Sequence, residues 1–443
     1  MRLRHCAGLA ATLLLSPVMA QAAPVLMISV DGLRPADVLD AKSRGIKLPT
    51  LSKLAGDGLY STGVRNVLPT VTYPDHTTLI SGVWPSRHGI PGNQNFDPLQ
   101  QNMTGWYWYA SDIKVPTLWD AVHESGGKVA SLSWPVSVGA TSIDFNLPEY
   151  WRAGNADDMK LARALATPGL VDMLEKSTGL RLAQTDGETE SVDVGRTQFA
   201  AALITAKHPA FTTIHLRGLD HAEHQFGPGS PEANKVLEQL DAAIGTLLAA
   251  ARKAEPDLVV AIVSDHGFAP VQNDVNLIAP FVAAGLITLD PVSHKPAKWQ
   301  AEPWGGASVA VVLAHPGDAA LKSKVAAVLA KLAGDPQLGI DHVADATEIA
   351  RLGGSPLASF WIDFKPGYEM GQDPTAPPLS PGSVKGTHGY FPSHPEMRAT
   401  FILSGPGIPA KGSLGEVDMR DIAPTMAKVL KVSLPGADGH PLL

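Results

Sequence analysis

Three strand-length apolar runs, each leading into an aspartate, constrain this chain more than any other feature. Val25–Val30 (VLMISV) leads into Asp31-Gly32, Phe211–Leu216 into Arg217-Gly218-Leu219-Asp220, and residues 258–263 into Ser264-Asp265-His266-Gly267. Continuous apolar blocks of this length are what strands covered on both faces of a parallel sheet require. In an open α/β sheet, ligands bind outside the carboxyl ends of such strands, so the aspartates should converge at one edge. Three carboxylates in one place repel strongly unless cations lie between them. The pattern therefore implies metal.

The rest of the chain alternates strands with helices. Leu48, Leu51 and Leu54 mark a helix, residues 116–125 another, and residues 128–134 (KVASLSW) a strand. Ser230-Pro231-Glu232 is a helix start with proline in its first turn, and Val236, Leu237, Leu240, Ile244, Leu247, Leu248 and Ala251 trace one face of the helix it opens. Further strands are expected at Ser308–Leu313, Ala358–Phe364 and 399–403, with a helix at Ala319–Ala333. This order predicts an α/β fold with a doubly wound, mostly parallel sheet in a single domain over residues 23–443. The Pro- and Gly-rich stretch 366–386 reads as a long loop with a task, delivering the chain to Thr387-His388-Gly389.

Residues 1–22 carry Arg2 and Arg4, an apolar run from Ala7 to Leu15, and Ala20-Gln21-Ala22, the form of a cleaved signal peptide. No later segment approaches 18 uninterrupted apolar residues, so no membrane span is expected and the location reads as periplasmic or secreted. The only cysteine, Cys6, lies in that signal, which leaves no thiol for a disulfide, a thiolate zinc site, a nucleophile or a formylglycine. The net charge is −8 for the full chain; without Arg2 and Arg4, 33 basic residues face 43 acidic ones. An acidic chain without a basic run is a poor partner for nucleic acid polymers.

The stretch 68–93, LPTVTYPDHTTLISGVWPSRHGIPGN, supplies a hydroxyl. Thr72 directly precedes Tyr73-Pro74-Asp75, and proline in a first turn is a common helix start, so Thr72 is expected at a helix N-terminus. There the free amides and the dipole favour an alkoxide or a phosphate. Asp220-x-x-x-His224 puts a carboxylate and an imidazole one turn apart, within reach of one ion. Asp31, Thr72, Asp265 and His266 then make one site, and Asp220, His224 and His388 a second. With imidazole nitrogen, carboxylate oxygen and no thiolate, two zinc ions lead, with manganese or iron behind them.

SVDG at 29–32, PTVTYPDHTTLISGVWPSRHGIPGN at 69–93, DHAEH at 220–224, SDHG at 264–267 and THG at 387–389 occur in an order that resembles the nucleotide pyrophosphatase/phosphodiesterase family of the alkaline phosphatase superfamily. The tail ATFILSGPGI at 399–408 with VDMRDIAPTM at 417–426 looks like that superfamily's closing strand and helix. The resemblance implies an alkaline-phosphatase-like fold and a hydrolase of phosphodiester or phosphoanhydride bonds in nucleotides. It makes Thr72 the nucleophile through a phospho-threonine intermediate and assigns the same two ligand sets. Asn93 donates to a phosphoryl oxygen. His76 and His88 brace the motif, while His215 and His221 lie near the ligands without binding metal. The family usually has asparagine where this chain has Asp75.

Tyr73 and Trp151 resemble the aromatic pair that sandwiches a nucleobase in nucleotide-cleaving members. The expected partner is a small phosphate ester, with a nucleotide first. A phosphomonoesterase or phosphonate hydrolase with the same metal site would need further cations near the substrate, for which Arg152, Lys160 and Lys385 are available. A phospholipid head-group hydrolase would need an apolar channel, and a catalytically silent phosphate or metal binder would need none of the nucleophile chemistry.

Overall fold

The structure is a computed structural model that describes residues 22–150, 157–410 and 412–443. Five of the expected or nearby runs form the body of an eight-stranded sheet: β1 (Val25–Val30), β2 (Val129–Leu132), β3 (Phe145–Leu147), β4 (Phe211–Leu216) and β5 (Val259–Val263). The spatial order is Gly412–Ser413, Leu59–Tyr60, Phe401–Ser404, β5, β1, β4, β2, β3. Only Phe401–Ser404 runs against the others.

Alternation along the buried strands divides the core in two. Leu26, Ile28 and Val30 of β1 join Val260 and Ile262 of β5 in one cluster, and Val25 and Met27 join Val259, Ala261 and Val263 in the other. Helices cover both faces. On the second face lies α1 (Thr72–Ser81), whose Leu79 and Ile80 pack into that cluster. From β4 the chain enters α2 (Gly218–Phe226) and then α3 (Pro231–Ala254). Helix α3 starts as its sequence predicts, with the Ser230 hydroxyl accepting from the Ala233 amide at 3.2 Å. Its Leu237, Leu240, Ile244, Leu247 and Ala251 fill the first core. Truncating one such leucine to alanine costs about 2–5 kcal/mol in well-packed interiors.

Two expectations change. Ser308–Leu313 and Ala358–Phe364 do form, but in a separate antiparallel sheet of β6 (Ala301–Gly305), β7 (Ser308–Leu313), β8 (Ile340–Asp345) and β9 (Ala358–Phe364), in the order β6, β7, β9, β8. A two-residue link, Gly306-Ala307, joins β6 to β7, and so short a connection can only return the chain antiparallel. The stretch 366–386 is also more ordered than a loop. Gly367–Met370 and Leu379–Pro381 pair on either side of Ala269–Val275, the first parallel and the second antiparallel. Among the described residues no helix is long and apolar enough to cross a membrane.

Candidate metal centre and active site

Every carboxylate anticipated at the sheet edge is there. Asp31 extends the β1 ladder by donating its amide to Leu216 O at 2.9 Å, and Gly32 N reaches Asp265 Oδ1 at 3.2 Å. The side chain of Asn66 donates to the Asp265 carbonyl. Gly267 allows the next turn, since a Cβ there would lie 2.1 Å from the Glu396 carbonyl oxygen. Alternation decides the face: Asp31 continues the parity of Met27 and Ser29, which is the face that α1 covers.

The ligand atoms of Asp31, Asp265 and His266 lie within 4.8 Å of one another, as do those of Asp220, His266 and His388. His266 Nε2 is 3.3 Å from Asp31 Oδ1 and 3.2 Å from Asp265 Oδ2. Asp220 Oδ1 is 3.5 Å from His224 Nε2 and 3.6 Å from His388 Nε2. His266 therefore joins both groups, where the sequence pattern places it in one. In all three imidazoles Nδ1 donates to a backbone carbonyl: Gly386 for His224, Gly267 for His266 and Thr70 for His388. That arrangement leaves Nε2 as the free ligand atom of each ring.

The centre fits a divalent cation by its own bookkeeping of polar atoms. Asp31 Oδ1, Asp220 Oδ1, Asp265 Oδ2 and His266 Nε2 are buried without a hydrogen-bond partner. Burial, then Asp220, pushes the Asp31 carboxyl well up, and burial with Asp31 does the same to Asp265. Burial, then His388, drives His266 well down, and burial takes His388 to about 4. Carboxylates that repel, beside the His266 and His388 imidazoles held below their ordinary value, describe a site that positive charge would complete.

Thr72 is the first residue of α1 and is half-buried. Its helix is tied to the centre by His76, whose Nδ1 donates to Thr72 O at 2.8 Å and lies 3.5 Å from Asp265 Oδ2. The other nitrogen, Nε2, meets Ser29 Oγ at 2.9 Å. His88 accepts from Ile90 N and contacts Thr78 Oγ1, and burial takes it to about 3. Both histidines thus brace α1. Asp75 is wholly buried, accepts from the Val67 amide, and is pushed well up by burial and Asp265. A protonated Asp75 offers one donor and one acceptor, as the expected asparagine would.

Asn93 is anchored by its Oδ1, which accepts from Tyr73 N at 2.9 Å, so Nδ2 is left to donate. Asn93 and His388 line a cavity of about 800 Å³, walled further by Trp106, Trp304 and Trp361. Tyr73 does not. Its ring is fully buried, its hydroxyl donates to Glu149 Oε1 at 2.8 Å, and Trp106 and Trp108 cross it edge-on. The expected base-stacking face is therefore spent on packing, because the phenol finds a buried carboxylate. Trp151 and Arg152 lie outside the described residues. Lys160 pairs with Asp157 at 2.6 Å on the surface, and neither it nor Lys385 lines the cavity.

Sequence reasoning missed the support behind Asp31. His215 Nε2 holds Asp31 Oδ2 at 2.9 Å, and its Nδ1 holds Glu149 Oε2 at 3.1 Å. Burial raises the Glu149 carboxyl, but Arg217, His215 and Tyr73 together carry it down to about 2. The available signal was a lone histidine inside the apolar run of β4, opposite Ser29 of β1. His221, by contrast, is exposed and faces Glu188.

A parallel sheet with a carboxylate and imidazole centre at its carboxyl edge, and a hydroxyl at an adjoining helix N-terminus, defines an alkaline-phosphatase-like α/β protein. The fold is shared with human ectonucleotide pyrophosphatase/phosphodiesterase 5, at TM-score 0.64 and 19% identity over 94% of this chain and 97% of that one. The murine counterpart, solved as an inactive form in complex with AMP, gives TM-score 0.65 and 18% identity over the same shares. In sequence the chain is 27% identical over 261 residues to mouse ectonucleotide pyrophosphatase/phosphodiesterase family member 1, covering 57% of this chain and 24% of that protein. It is 30% identical over 287 residues to an uncharacterized pyrophosphatase/phosphodiesterase of Schizosaccharomyces pombe, covering 64% of this chain and 50% of the other. The matches thus span about a quarter to a half of these relatives' lengths. The chain belongs to the type I phosphodiesterase / nucleotide pyrophosphatase family, which it matches over residues 25–391.

Proposed function

We propose that this protein is a metal-dependent hydrolase of phosphodiester or phosphoanhydride bonds in nucleotides, acting through a phospho-threonine intermediate on Thr72. The observation that carries the reading is the set of buried ligand atoms without partners, on Asp31, Asp220, Asp265 and His266, beside the helix that begins at Thr72. Asp31, Thr72, Asp265 and His266 would hold one zinc ion, and Asp220, His224 and His388 the other. When bound, such a pair supplies positive charge to the attacking and leaving oxygens of an in-line displacement.

The chain's own groups do the rest. The positive end of the α1 dipole favours negative charge on the Thr72 oxygen and on the phosphoryl group. Asn93 Nδ2, freed because Oδ1 is held by the Tyr73 amide, donates to a non-bridging oxygen. The bond from Thr72 Oγ1 to phosphorus forms as the bond to the leaving oxygen breaks, and water then cleaves the threonyl ester. The His215 and Glu149 pair keeps Asp31 oriented throughout.

Residues 1–22 act as a cleaved signal in this reading, with 23–443 as one catalytic domain in the periplasm or outside the cell. The relative solved with AMP supports a nucleotide substrate. The test is kcat/KM of the zinc-loaded protein on a nitrophenyl nucleoside monophosphate diester against nitrophenyl phosphate, with a chelator control. Preference for the diester, lost with chelator, is expected; preference for the monoester would move the function to a phosphatase.

A further inference from the structure

The cavity beside the metal centre holds a buried carboxyl that phosphoryl transfer does not use. In the pairing of β6 with β7, Glu302 lies opposite Val312 and Trp304 opposite Ala310, and Ala310 in turn lies opposite Trp361 of β9. Residues directly opposite share a face of the sheet. Val309, Val311 and Leu313 point the other way, into a hydrophobic core. Glu302, Trp304, Ala310, Val312 and Trp361 all line the cavity. Glu302 thus sits among mainly apolar and aromatic side chains on this wall, in a cavity that Ser308, His294, Lys295 and Asp373 also line.

It is 2% exposed, and its Oε2 has no hydrogen-bond partner. Among the described residues no cation pairs with it, and burial alone pushes it up to about 8. An isolated carboxyl on such a surface weakens folding and adds nothing to packing. A ligand that brings an N–H donor and positive charge would satisfy it, and indole faces attract the same charge. This wall is also tied to the centre. Trp361 Nε1 donates to Ser308 Oγ at 3.0 Å, and Ser308 Oγ donates to Gly389 O at 2.5 Å, next to the ligand His388.

We propose that this cavity is a subsite for the organic group esterified to the phosphate, and that it selects groups bearing an ammonium or another N–H-bearing cation, with Glu302 as counter-ion. At about 800 Å³ it has room for far more than a simple alkyl ester. The proposal takes from the phosphodiesterase reading only the position of the phosphate.

Binding is measured first, because it needs no turnover. Butylammonium and butanol are titrated into the zinc-loaded protein and followed by calorimetry and tryptophan fluorescence. The ammonium should bind about tenfold tighter or better, and the difference should vanish in Glu302→Gln and shrink in Trp304→Leu. Equal binding of the two probes, or selectivity that survives Glu302→Gln in a folded protein, overturns the proposal. The second measurement compares kcat/KM on 4-nitrophenyl 2-aminoethyl phosphate and 4-nitrophenyl propyl phosphate, alike in shape and different by one charge. A preference for the aminoethyl ester of about tenfold should fall to near unity in Glu302→Gln. Equal hydrolysis of both esters by the unaltered protein rejects the subsite while the phosphodiesterase reading stands. Selective ammonium binding without hydrolysis of either ester rejects that reading and leaves the subsite standing.

Discussion

The edge of the parallel sheet and the face of the antiparallel sheet each bury carboxyl oxygens without hydrogen-bond partners, yet by opposite means. At the edge, Asp31, Asp220 and Asp265 crowd together with imidazoles, and something small and highly charged between them would relieve their mutual repulsion. On the face, Glu302 stands alone among tryptophans, and its cost is desolvation with no neighbour to share it. The first arrangement suits a metal ion and the second an organic cation. A partnerless acid is therefore informative only when its neighbours are counted with it.

Removing the proposed nucleophile should give the largest effect and leave the metal arm of this comparison intact. Thr72→Ala is expected to lower kcat by at least about 1000-fold, as loss of a nucleophile does in hydrolases, while metal analysis finds nearly unchanged content. Turnover retained in that variant would reject Thr72. His388→Ala should come next, with one ion of two lost, since Asp220 and His224 then share only His266 with the first site. A variant still carrying two ions would break the assignment of His388 to the second site.

Much of the edge was legible because strand ends carry chemistry at fixed places. The bounds at Phe211–Leu216, Ser308–Leu313, Ala358–Phe364 and Ala319–Ala333 agree with the elements formed. Direction was not legible. Buried strands of both sheets read as continuous apolar runs, so β7 and β9 looked no different from β1 and β5. The support of Asp31 was hidden for another reason: Glu149 and His215 meet across 66 positions, and neither sits in a motif. The packing of Tyr73 was not legible either, because adjacency to Thr72 says nothing about where a ring points once a buried acid accepts its hydroxyl.

His215→Ala sharpens the metal arm at a smaller scale. The imidazole touches Asp31 and does not line the cavity, so its removal would free that carboxylate to rotate. Loss of such an orienting partner typically weakens metal binding about 10- to 100-fold. A competition titration with a chromogenic chelator reads this directly. Unchanged affinity would mean that Asp31 is held well enough by the end of β1 alone.

The smallest expected effect probes the lone acid without any ligand. Glu302 is pushed up to about 8 in the folded chain, well above an ordinary glutamate, so over the interval between the two values the folded state keeps a proton that the unfolded state has released. Stability from this group is full below the unfolded pKa, declines as pH rises, and is flat once the folded group has ionised near pH 8. Glu302→Gln removes that dependence. Thermal unfolding from pH 5 to 9 should therefore show the variant gaining on the unaltered protein by a few degrees up to about pH 8 and no further. A constant difference across that range would show that Glu302 already has a partner inside the protein, and the contrast between crowded and solitary acids would lose its second half.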